Sequence, residues 1–79
     1  MKTLFEKVLT EWRSTALKHS KRARKLRNSA ITLKVAGWDD ALVAGYLKDA
    51  LIHENNAKAL WAKVKEAKAR GHLPPRAGE

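Results

Sequence analysis

The sequence predicts an all-α fold, a long antiparallel helical hairpin that assembles as a dimer. Three observations predict it. Apolar residues recur at helical spacing on either side of a single break at Gly37. Neither Gly nor Pro occurs before that break. The chain has only 79 residues and no cysteine, so no disulfide reinforces its small core, and self-association is the remaining common reinforcement.

The first helix begins near Thr3, a good capping residue, with Glu6 three positions on completing the capping-box pattern. Over residues 3–27, Phe5, Val8, Leu9, Trp12, Ala16, Ala23 and Leu26 fall on one face, and His19 falls on the same stripe. Residues 28–38 admit two readings. One continues the helix to about Val35. The other takes the alternation of Ile31, Leu33 and Val35 against Thr32 and Lys34 as a short strand.

After Gly37, Asp39 and Asp40 stand where capping and the helix dipole favour acids. The second helix is expected from about Asp39 to Arg70, with Val43, Tyr46, Ala50, Ala57, Leu60, Trp61 and Val64 as its stripe. His53-Glu54-Asn55-Asn56 is a polar interruption with poor helix formers in it and marks either a soft spot or a turn. Lys68 and Arg70 suit a last turn, Gly71 suits the stop, and Pro74 and Pro75 prevent resumption. The expected organisation is one helical domain over residues 1–71 and a flexible tail over 72–79.

In that hairpin Trp12 comes near Trp61, and His19 lies opposite His53 and Glu54. Trp12 and Trp61 read as core residues, and Trp38 as a cap on the hairpin's end. Between Ala41 and Ile52 the second helix is apolar almost all round, more than one neighbouring helix covers. Leu42, Leu47, Leu51 and Ile52, with Trp38, are therefore the candidate interface. The competing reading is a third layer made by a fold at residues 53–56.

Charge is the main functional signal. Seventeen Lys and Arg face eight Asp and Glu, a net charge of +9 that favours anionic partners. The cations concentrate in Lys18-His19-Ser20-Lys21-Arg22-Ala23-Arg24-Lys25-Leu26-Arg27, and no acid occurs from Trp12 to Trp38. Lys18, Lys21, Arg22 and Lys25 share one helical face, flanked by Arg24 and Arg27. An ordinary solvated face mixes signs, because like charges one turn apart repel. An uninterrupted cationic row suits a phosphate backbone, so Lys18, Lys21, Arg22, Arg24, Lys25, Arg27 and Lys34 are the candidate nucleic-acid contacts. Lys58, Lys63, Lys65, Lys68 and Arg70 form a second, scattered group that reads as solvated surface.

Residues 31–35, 39–51 and 56–64 also carry a resemblance. Their strand–helix–helix order resembles the ribbon-helix-helix repressors, over about half the chain. The resemblance implies a dimer in which Thr32 and Lys34 enter the DNA major groove. The chain departs from that pattern in its long preceding helix and in the extra length that Gly37 and Trp38 add before the second helix.

No catalytic residue is assigned. The sequence has no Gly-rich phosphate loop, no nucleophile elbow and no paired carboxylates in a foreseeable cleft, so an enzyme is not expected. His19, His53 and His72 lack metal-ligand spacing, and no metal or other cofactor is expected. No segment is apolar enough to span a membrane, and the N-terminus lacks a continuous apolar stretch, so a cytoplasmic location is expected. The expected function is a small regulatory protein that binds DNA or RNA. The alternative is an interaction module or inhibitor docking on a larger acidic protein. A membrane surface ranks last, because Glu6 and Glu11 lie on the basic helix.

Overall fold

A computed structural model describes residues 3–72; the expected tail from residue 73 onward, with Pro74 and Pro75, lies outside the described residues. Two helices make up the fold, α1 (Leu4–Val35) and α2 (Asp40–Arg70), packed side by side as a hairpin with principal extents of 52 × 29 × 17 Å. The expected all-α hairpin is therefore the architecture of the chain.

Local chemistry sets the ends. Thr3 caps α1, its hydroxyl accepting the Glu6 N–H at 3.2 Å. Asp39 caps α2, its carboxylate accepting the Ala41 N–H at 3.1 Å. Between them α1 stops in a Schellman turn. Gly37 takes φ +82° and its N–H donates to the Lys34 carbonyl, while the Trp38 N–H reaches back to Leu33 at 3.0 Å. A Cβ at Gly37 meets no neighbour, so it is the left-handed backbone, not crowding, that favours glycine there. Gly71 ends α2 with the simpler left-handed cap, at φ +75°, its N–H donating to the Ala67 carbonyl at 2.9 Å.

The strand reading of residues 31–35 is overturned, and the ribbon-helix-helix arrangement with it. This stretch is the last turns of α1, and the Thr32 hydroxyl donates to the Asn28 carbonyl one turn back. Ala30 explains the outcome: it is buried against α2, which holds the backbone helical past a β-branched run of low helix propensity. The turn considered at residues 53–56 is also absent, since α2 runs through it unbroken. His53 contacts His19, Glu54 pairs with Arg27, and Ala57 is buried. Tertiary contacts on three of five successive residues outweigh a few tenths of a kcal/mol of poor propensity each.

The packing follows a seven-residue repeat. The buried residues of α1 are Leu9, Ala16, Ala23 and Ala30, and those of α2 are Val43, Ala50, Ala57 and Val64, with Ala67. A second row is half-buried beside them: Phe5, Trp12, His19, Leu26 and Leu33 on α1, then Tyr46, His53 and Leu60 on α2. Two rows alternating at three and four residues are the pattern of a coiled coil, here antiparallel. Apart from Leu9, alanine and valine occupy one row, and larger residues mostly the other. Alanine lets the helix backbones approach closely, and the large residues close the sides.

Two contacts fix the register. Leu9 clusters with Val64 and Ala67, with Phe5 and Trp12 packed around them. Farther along, His19 Nδ1 meets His53 Nδ1 at 2.8 Å, the rings tilted by 33°. One ring donates and the other accepts. The juxtaposition of His19 with His53 agrees with the hairpin expected from sequence. Trp61 does not. It is 41% exposed, one residue beyond the half-buried Leu60, because the repeat carries the seam from Leu60 directly to Val64.

A candidate nucleic-acid interface on the first helix

The cationic run lies wholly within α1, so its geometry is that of a straight helical ladder. Ala16, Ala23 and Ala30 turn one side of this helix inward, and that fixes what faces out. Lys18, Lys21, Arg22, Arg24 and Lys25 are all exposed. Lys21 sits farthest from the seam, with Lys18, Arg22 and Lys25 on one flank and Arg24 on the other.

Ion pairing separates these cations from two others. Among the described residues the ion pairs are Arg27 with Glu54 and Arg70 with Glu66. Lys18, Lys21, Arg22, Arg24 and Lys25 make none. Arg27 donates from Nη2 to Glu54 Oε2 at 2.6 Å, so it ties α1 to α2 and is the least available member of the proposed set. Lys34 is exposed in the last turn of α1, where the helix dipole favours a cation. From Lys18 to Lys34 the helix rises about 24 Å, comparable with about seven base-pair steps of a duplex.

Beside this ladder, a shallow groove is lined by Arg24, Arg27, Asn28 and Ile31 of α1, and Glu54 of α2 forms its far wall. Glu54 is the residue that sequence reasoning undervalued. The sequence placed it opposite His19 across the hairpin but not against Arg27, because that partner stands 27 positions away.

The candidate interface residues divide. Leu42, Leu47, Leu51 and Ile52 are all between 41% and 52% exposed on the outer side of α2. Leu47 and Leu51 lie on the flank shared with Trp61, and Leu42 and Ile52 on the other, where Gly45 opens a shallow groove lined also by Tyr46 and Asp49. Trp38 is 59% exposed in the turn, outside the helical band.

Among the described residues no three His, Cys, Asp or Glu side chains converge, and no helix is long and apolar enough to cross a membrane. No family model, curated protein or solved structure matches the chain.

Proposed function

We propose that the protein binds nucleic acid, DNA or RNA, through the outer surface of α1, in a non-catalytic and regulatory role. The observation that carries this reading is five exposed cations, Lys18, Lys21, Arg22, Arg24 and Lys25, within eight residues and without an ion-pair partner, on a helix free of acids from Trp12 onward. Holding like charges one turn apart costs stability. An anionic polymer offsets that cost and releases its condensed counterions on binding. The contacts are to phosphates, so they position the protein on the polymer without reading its sequence.

Salt dependence tests the proposal. With Lys18, Lys21, Arg22 and Lys25 neutralising about four phosphates, affinity for a duplex falls roughly a hundredfold between 50 and 200 mM salt. Replacing Lys21→Gln and Lys25→Gln together weakens binding and lowers the log–log salt slope by about two. The double variant keeps its melting temperature, because neither side chain touches the seam. Absence of binding to duplex and single strands at low salt, in protein freed of co-purified nucleic acid, overturns the reading and leaves an acidic protein as the partner of the same row.

A further inference from the structure

The outer side of α2 presents a different surface from that of α1. Over residues 41–52 it exposes Leu47 and Leu51 on one flank and Leu42 and Ile52 on the other, with Lys48 between them. This band is too wide to be incidental, and α1 cannot reach it, because Val43 and Ala50 already occupy the seam. We infer that the band is a self-association surface, on which α2 of a second copy of this chain packs antiparallel across a two-fold axis.

Two observations choose a second copy over a foreign partner. The first is charge. Asp39, Asp40 and Asp49 against Lys48 give residues 39–52 a net charge of −2, which leaves +11 for the rest of a chain whose total is +9. A stretch of −2 meets its own copy with less repulsion than the cationic remainder of the chain does, and Lys48 is its single cation, so an acidic protein or a nucleic acid finds little there to neutralise. With Leu47 facing Leu51 of the second copy, antiparallel pairing also sets Asp40 level with the other copy's Lys58. Each contact of this kind occurs twice in a two-fold interface.

The second observation is the size of the interior. Among the described residues nine hydrophobic ones are buried, six of them alanine, and no large side chain is fully enclosed. Alanine removes little apolar surface from water, so this seam supplies a small fraction of what a larger core does. A chain without cysteine obtains the remainder from association. Two hairpins joined through α2 form a four-helix arrangement, a common solution for helices of this length. Both α1 ladders remain outside it, so the dimer displays two cationic rows.

Light scattering on the purified chain, without nucleic acid, tests the inference. The wild type at about 100 µM is expected at twice its mass of 8.9 kDa, with a melting temperature that rises with concentration. Leu51→Glu and Leu47→Glu are each expected to yield a monomer or an unfolded chain. Leu17→Glu on α1 is the matched control, since Leu17 and Leu51 are equally exposed at 52%, and it is expected to remain a folded dimer. A helical wild-type monomer at that concentration overturns the inference and leaves the band to a foreign protein. Equal effects of Leu17→Glu and Leu51→Glu overturn the assignment to α2. Neither result bears on nucleic-acid binding, which is measured separately.

Discussion

The two halves of the seam are built on different principles. Near the chain ends, Phe5, Leu9 and Trp12 of α1 surround Val64 and Ala67 of α2. Here apolar area removed from water holds the helices together. In the middle, Ala16, Ala23, Ala50 and Ala57 are buried around the His19–His53 contact. That half gains little from transfer of apolar surface and much from close backbone approach, and its one polar layer fixes the alignment. One repeat thus carries two functions: the ends supply adhesion, and the middle supplies spacing and register.

Volume changes in opposite directions test this division. Leu9→Ala removes the one buried leucine from the end cluster and is expected to cost about 3 kcal/mol, the largest effect of the series. In a domain of this size that corresponds to roughly 12–24 °C in Tm, measured at fixed protein concentration. An effect under about 1 kcal/mol shows that the end cluster is not where adhesion resides.

Ala50→Leu works the other way. Ala50 has no accessible surface, and a leucine there forces the backbones apart, at an expected cost of about 2 kcal/mol by chemical denaturation. The same substitution at the exposed Ala44 is expected to change stability by less than about 0.5 kcal/mol. If Ala50→Leu is neutral, the small row does not set the helix spacing.

The histidine layer gives the smallest effect and the most specific one. His53→Leu alone leaves the His19 Nδ1 without its half-buried partner and is expected to cost about 1 kcal/mol. Adding His19→Leu is expected to recover that loss, because two apolar side chains pack without an unmatched polar atom. The double-mutant cycle reads the coupling directly. The recovered protein is expected to lose uniqueness of alignment, seen as broadened backbone amide resonances, because a polar layer disfavours shifted registers. Simple additivity of the two substitutions shows that the rings are not coupled.

The candidate site was as legible as it was because it is local. Lys18, Lys21, Arg22, Arg24 and Lys25 lie within two turns of one helix, so sequence spacing alone places them on its outer surface. Arg27 belonged to the same run by sequence, yet its pairing with Glu54 depends on which turn of α2 lies beside it. Of the row Leu9-Ala16-Ala23-Ala30 matched by Val43-Ala50-Ala57-Val64, the stripes read from the sequence hold all but Ala30, which lies in the stretch left open between helix and strand. Trp61 is placed in the core by the sequence and 41% exposed in the fold, since a helix read at 3.6 residues per turn drifts away from a seam that repeats at 3.5.

What the sequence determined by itself is everything governed by neighbours within about one turn. That covers the caps at Thr3 and Asp39, the break at Gly37, the stop at Gly71 and the cationic face of α1, each set by backbone geometry and side chains a few residues apart. Only the tertiary structure decided that residues 31–35 are helical, that residues 53–56 do not turn, and that Arg27 is paired. Those outcomes rest on contacts between residues far apart in the chain. The weak local preferences at these positions are worth tenths of a kcal/mol, and burial of Ala30 and Ala57 against the opposite helix decides against them.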